Sequence, residues 1–285
     1  MFRQEDVVNL LHVLQQSIQY STVSSSSRVR NTFASYLLLL LLGLRKAYLI
    51  DCFAPDYQQV LNLLKEMRHR CSRQEQENIL VLKELVVVHM EGVVLLVEYE
   101  HWKEIATGPL PVIVDICKQK PTMVTPQETE SLMDCIYSLA ISTISEGLYL
   151  INVKSSEVSL SPLQLYPLLT GHYLCYPVCY NFMSTASSTT NALSMQPLRR
   201  ISYRVSIPEL AHESSLLRDI DLLEFTCPVA LLEENSHVAE ILDTSTMERK
   251  ADIENILQES RLKDIFPSIV VNITDNVVTL HNPTI

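Results

Sequence analysis

Six leucines in a row, Leu37 to Leu42, constrain this chain more than any other feature. A helix carrying them is apolar all the way round, so it must be buried, either in lipid or in the middle of a protein. A membrane span needs about 20 predominantly apolar residues. This run is stopped by Arg45-Lys46 and falls short even when extended back to Phe33. The segment is therefore expected to be a fully buried helix, and such a helix demands a body large enough to surround it. With 285 residues, 47% of them apolar, the chain can supply that body without disulfides or metals.

Glycine is the next constraint. There are only five, at 43, 92, 108, 147 and 171, where ordinary usage of about 7% gives about 20. Loops that cradle phosphate need glycines close together, because the backbone must approach the anion and adopt positive φ. The nearest two, Gly92 and Gly108, are 16 residues apart. The P-loop, the dinucleotide fingerprint and the G-x-S-x-G elbow are thereby excluded.

Charge narrows the partners. Acidic residues outnumber basic ones, 33 to 22, for a net charge of -11. Nucleic-acid binders need surplus Lys and Arg to displace counterions from phosphate, and anionic membrane surfaces ask for the same sign. Neither partner is expected. The seven cysteines form an odd set, most of them inside apolar runs, and Met1 to Asp6 lacks a basic n-region and an apolar h-region. Reduced, buried thiols in an intracellular protein, cytoplasmic or nuclear, fit this pattern.

Along the chain, Val7, Leu11, Leu14 and Ile18 recur at helical spacing and predict an amphipathic opening helix. The polar stretch Ser21 to Ser27 breaks it. The leucine helix follows and stops near Gly43, which suits a C′ position. Ala47 to Phe53 has strand length, and Pro55-Asp56 starts a helix carrying Tyr57, Val60, Leu61, Leu64 and Met67. Ile79 to Val88 and Val93 to Val97 read as a hairpin, and Pro111 to Cys117 as a further strand. Thr125-Pro126-Gln127-Glu128 is the clearest helix start, a capping box with proline in the first turn. Its stripe is expected to run through Leu132, Ile136, Leu139, Ala140 and Ile144, with Gly147 ending the helix and Leu148 to Val153 following as a strand.

Ser161-Pro162-Leu163-Gln164 repeats the capping device before a helix that Pro167 and Gly171 shorten or kink. The polar loop Ser184 to Asn191 precedes a strand at Ile201 to Val205. Phe225 to Leu231 reads as another strand, with Pro228 at an edge or bulge. A charged helix spans roughly His237 to Ser260, and Ile269 to Leu280 closes the chain as one bent strand or a hairpin. With no internal repeat and no long linker, the expected fold is α/β: a single domain over 1-285, with a mixed, mostly parallel central sheet flanked by helices. Residues 1-44 form an N-terminal helical segment, two helices packed on it.

Several blocks resemble a known family. Leu44-Arg45-Lys46-Ala47-Tyr48-Leu49-Ile50-Asp51-Cys52, Ile113-Val114-Asp115 and Tyr176-Pro177-Val178-Cys179-Tyr180-Asn181-Phe182 carry the likeness. Asn191-Ala192-Leu193-Ser194-Met195-Gln196-Pro197-Leu198-Arg199 and Val277-Val278-Thr279-Leu280 extend it. From about Leu44 to the C-terminus the chain is similar to uncharacterised protein family 0739, the chromosome 1 open reading frame 74 type. What the resemblance implies is a family with no established biochemical activity. No site residue is carried over from it.

The candidates therefore come from the residues themselves. Asp51 and Asp115 each close an apolar strand-like run, so each is expected at a carboxyl edge, where open α/β sheets bind ligands. Two carboxylates converging there can hold Mg²⁺ or act on a phosphate ester, whereas the plainer reading is that each caps the turn that follows. Arg199 can meet an acidic partner or ligand, or be a surface or ion-paired arginine. His172, Cys175 and Cys179 lie within eight residues, a spacing that can place ligands on successive helical turns, but structural zinc wants four ligands and no second element stands out. Three buried side chains near a helix end are the plainer reading.

The expected function is thus a non-enzymatic, intracellular protein-binding or regulatory protein, with no cofactor and no metal, its opening helix available to dock onto a protein partner. The alternative is a divalent-metal-dependent hydrolase or phosphoryl-transfer enzyme using Asp51 and Asp115.

Overall fold

A computed structural model describes residues 3–20, 26–52, 56–73, 84–105, 108, 110–116, 120–154, 162–181 and 193–281. Two helices open the chain. In α1, Gln4–Tyr20, the predicted stripe Val7, Leu11, Leu14 and Ile18 is buried. Ser26 caps α2, Ser27–Leu41, by accepting from the Val29 amide. Every leucine from Leu37 to Leu42 is buried, and each contributes roughly 2 kcal/mol of transfer free energy. Gly43 terminates the helix at φ +78, its amide donating to the Leu40 carbonyl. That left-handed backbone is where glycine has no Cβ to clash. Helix α1 packs on α2 and on α3, Tyr57–Arg73. The pair is tied to the distant segment 213–214 by His12 with Glu213 at 2.6 Å and Ser35 with Ser214 at 2.9 Å.

Beneath these helices lies a five-stranded sheet in the order β1, β3, β2, β7, β6. Its strands are β1 Ala47–Leu49, β2 Leu85–Met90, β3 Val93–Glu98, β6 Ser142–Ser145 and β7 Leu148–Val153. Two hairpins build most of it. Glu91-Gly92 and Glu146-Gly147 both have positive φ at each residue, the turn geometry whose twist matches that of paired strands. A second sheet is ordered β5, β4, β8, from β4 Val112–Asp115, β5 Thr122–Met123 and β8 Val178–Asn181. A third, β10, β9, β11, comprises β9 Pro197–Ser206, β10 Ile220–Pro228 and β11 Val270–Thr279. The helices between strands are α4 Tyr99–Ile105, α5 Pro126–Tyr137, α6 Pro162–Tyr173, α7 Val229–Glu234, α8 Ser236–Glu259 and α9 Leu262–Ile265. One cluster of buried apolar side chains reaches from Val7 to Ile269.

The mixed α/β content and the two N-terminal helices are as the sequence predicts. The sheet is not mostly parallel: of the eight described strand pairs only β2 with β7 and β4 with β8 are parallel. Two-residue turns force their strands to be antiparallel, and the long strands β9, β10 and β11 pair the same way. The strands are also divided among three sheets rather than one.

Local corrections have local causes. The Thr125–Glu128 capping box forms as predicted, but its helix ends at Tyr137, where the Ser138 hydroxyl donates to the Cys135 carbonyl. Ile144 belongs to β6, not to a helix, because the β-branched pair Thr143-Ile144 precedes a hairpin turn at Gly147. Leu231 lies in α7, since β10 stops at Pro228. The closing segment is a single strand. Ser161, Cys117, residues 79–83 and the loop 184–191 lie outside the described residues.

Candidate functional site

A cleft of about 600 Å³ opens between α4, α8 and the C-terminal end of α6. Helix α6 supplies its most unusual wall. The Tyr176 amide donates to the Gly171 carbonyl at 2.8 Å and the Cys175 amide to the His172 carbonyl at 3.0 Å, which is the Schellman way of ending a helix. The residue that must be left-handed in this motif is Cys175, at φ +63, where glycine is usual. A side chain there costs about 1 kcal/mol. Gly171 is held for another reason: a Cβ on it would sit 2.9 Å from Cys179 Sγ, so its absence lets α6 lie against β8.

The left-handed turn sets Cys175 Sγ 3.1 Å from His101 Nε2 on α4. The same nitrogen lies 3.2 Å from the Tyr173 carbonyl. A carbonyl only accepts, so Nε2 carries the proton and donates to Tyr173. Burial, helped by the charges of Lys46 and Arg249, pushes His101 down to about 3, against which the Tyr173 hydrogen bond acts. Burial likewise raises the Cys175 thiol, although Arg249 and Lys46 pull it the other way. Imidazole and thiol are both neutral at pH 7. A nucleophilic cysteine needs a thiolate or a base free to take its proton, and this pair offers neither.

His172 is the second wall residue. It is 7% exposed, and its Nε2 is buried with no hydrogen-bond partner. Its ring centroid lies 5.7 Å from that of Tyr137 and 5.9 Å from that of Tyr173. Burial lowers it to about 4, so it too is neutral. Two cations complete the inner surface. Lys46 Nζ stands 4.0 Å from Glu98. Arg249, on α8, donates Nη2 to the Leu44 carbonyl at 3.3 Å, while its Nε is buried without a partner. Ile105, Ile241 and Ile256 give the cleft apolar surface, and the carboxylates of Glu104, Glu248, Asp252 and Glu259 are exposed along it.

The three residues singled out from the sequence lie on or just after strands of three different sheets. Asp51 follows β1, at the edge of the five-stranded sheet, and is exposed. It faces the electrostatic neighbourhood of Arg45, whose guanidinium lies over the Tyr36 ring at 4.6 Å and the Tyr48 ring at 5.4 Å. Asp115 ends β4 in a different sheet, buried, with Thr122 and Asn181 on either side. The common rim expected for the two aspartates does not exist, because β1 and β4 are in separate sheets. Arg199, on β9, is clamped by Asp243 at 2.8 Å and Asp275 at 2.7 Å, with Nε also donating to Asp275. Those hydrogen bonds raise its pKa and leave its charge matched within the fold.

Among the described residues no group of three or more His, Cys, Asp or Glu side chains is placed to hold a metal. Cys179 is buried on β8 behind Gly171, apart from the Cys175–His101 contact. Sequence reasoning had marked His172 and Cys175 but missed Lys46, His101 and Arg249. Helix α4 is too short for periodicity to reveal, and Arg249 sits in a helix whose polar positions look alike. The Schellman turn, with Gly171 and Pro177 around Cys175, was the available signal.

Fold and cleft together define a mixed α/β protein with a part-apolar, cation-floored site. The chain matches the family model described as domain of unknown function (DUF4504) over residues 15–279, and it belongs to that family. No curated protein and no solved structure matches it. Among the described residues no helix is long and apolar enough to cross a membrane.

Proposed function

We propose that the chain works by binding rather than by chemistry, and that its ligand is a carboxylate carried on an apolar body. The observation that carries this reading is His172: a buried Nε2 without a partner, in the wall of a cleft that Lys46 and Arg249 also line. A buried ring nitrogen left unpaired costs about 1–3 kcal/mol, and in the tautomer that carries its proton on Nε2 that nitrogen is a donor. An acceptor-only ligand group recovers that cost while meeting the two cations, and the isoleucines suit its apolar remainder. The neutral Cys175–His101 pair supports binding over nucleophilic catalysis. A metal-dependent hydrolase built on Asp51 and Asp115 draws no support from strands in separate sheets.

A peptide ending in an apolar residue presents this chemistry, so a protein partner remains the favoured source. The exposed carboxylates along the cleft suit basic residues preceding such a terminus. In this reading the chain forms one domain over 1-285, of the family 0739, chromosome 1 open reading frame 74 type, and works inside the cell, in cytoplasm or nucleus. The continuous apolar cluster and the six described free cysteines support it.

Thermal denaturation with apolar carboxylates, and with peptides having free or amidated C-termini, tests the proposal. Free carboxylates should raise Tm, since a ligand bound only by the native state stabilises it. Amides should not, and Arg249→Gln should abolish the shift. Equal shifts with acid and amide would rule the reading out.

A further inference from the structure

Strand β11 is the outermost strand of its sheet, paired with β9 on one side only among the described residues. An edge of this length exposes a row of backbone donors and acceptors, and proteins usually guard such edges with proline, lysine, a bulge or a covering segment. The ten residues Val270–Thr279 contain no proline, lysine or glycine, and they pair with β9 without a register shift. Apolar exposure gathers here as well. The large hydrophobic residues exposed among those described are Leu110, Met195, Met247, Val270 and Val277, and three of these five lie on or beside β11: Val270 at 47%, Val277 at 63%, and Met195, whose amide donates to the Leu280 carbonyl at the end of the strand.

The order of residues along the strand says what it fits. Val270-Val271-Asn272 and Asn276-Val277-Val278 read as mirror images about Thr274. We propose that β11 is a homodimerisation edge, two copies of this chain pairing their β11 strands antiparallel about a two-fold axis at Thr274. In that register Val270 lies opposite Val278 of the second copy, Val271 opposite Val277, Asn272 opposite Asn276, and Thr274 opposite itself. Directly opposed residues on antiparallel strands share a face, so each exposed valine gains a half-exposed valine as cover and each asparagine gains an amide partner. Moving the axis by one residue, to Ile273 or to Asp275, places Val270 opposite Asn276 or Val278 opposite Asn272.

Charge permits the same arrangement. Asp275 is the only ionisable residue of the strand; it is held by Arg199 and would face Ile273 of the second copy, so no like charges meet at the axis. The result is an isologous contact, the commonest kind in soluble dimers, joining two three-stranded sheets into one of six strands. An edge of ten residues stands at the small end of specific interfaces, below roughly 1,200 Å². The dimer is accordingly weak and concentration-dependent.

Sedimentation equilibrium of the full chain at about 0.15 M salt, where charges are screened beyond about 8 Å, reads the proposal directly. The apparent mass should climb from 32.4 kDa toward twice that value with concentration, and Val270→Lys with Val277→Lys should hold it at one chain mass. Both side chains are exposed, so these variants should keep the wild-type Tm. Thr274→Cys should cross-link two copies when oxidised glutathione accepts the electrons, because among antiparallel registers this one alone opposes residue 274 to itself; wild-type protein treated alike is the control. A monomer at every concentration overturns the proposal. So does a dimer that survives both lysines or fails to cross-link at position 274.

Discussion

Helix α2 and the end of helix α6 are both buried, but they bury different things. Along α2 the side chains from Leu37 to Leu41 need no partners, and the one buried polar side chain, Ser35, has its hydroxyl 2.9 Å from that of Ser214. At the end of α6, His172 is also buried but has its Nε2 unmatched, and Cys175 occupies a left-handed position that glycine would hold more cheaply. The first region is optimised for stability and the second is not. Unmatched polar groups and strained backbone beside a cleft are what a binding site retains at the expense of the fold.

The comparison can be broken at either end. Leu40→Ala, in the fully buried run, should cost about 4 kcal/mol in urea denaturation, through lost transfer energy and the cavity left behind. A cost under 1 kcal/mol would mean that the leucine helix is not the core. Acidification should weaken the cleft specifically. His101 and His172 are held at about 3 and about 4 in the folded chain, against about 6.5 when unfolded. Below pH 6.5 the unfolded state therefore binds more protons, and stability falls as pH drops toward 4. The loss should be about 2 kcal/mol for each histidine between pH 7 and pH 5. Replacing either histidine with phenylalanine should remove its share of the slope.

Gly171→Ala sharpens the account of how α6 reaches β8. The new Cβ would lie 2.9 Å from Cys179 Sγ, and overpacking of this kind costs about 2 kcal/mol. Adding Cys179→Ala should restore part of it, a non-additivity that a double-mutant cycle measures. The smallest effect is expected at Arg261, exposed and left-handed at φ +55 just past the end of α8. Arg261→Gly should stabilise by about 0.5–1 kcal/mol, visible as a modest rise in Tm.

Local features were legible and spatial ones were not. The stripe of α1, the stop at Gly43 and the Thr125–Glu128 box each depend on residues within one turn, so spacing reveals them. Ile144 misled because it continues a helical stripe, although Glu146-Gly147 forces a hairpin after it. Continuous Val and Ile runs point to a parallel sheet covered on both faces, but burial explains such runs whatever the strand direction. Asp51 and Asp115 share a local pattern but sit in separate sheets, and no spacing in the chain encodes that. The cleft joins Lys46, His101, His172 and Arg249 across two hundred residues, and only its α6 wall left a trace in the sequence.

Urea denaturation of His172→Phe beside the wild type, at pH 7 and without ligand, tests the central claim most directly. Phenylalanine keeps the ring and removes the unmatched nitrogen, so the variant should be more stable by about 1 kcal/mol while losing the carboxylate-dependent rise in Tm. A variant less stable than wild type by 2 kcal/mol or more would show that Nε2 serves the fold itself, and the site would lose its foundation.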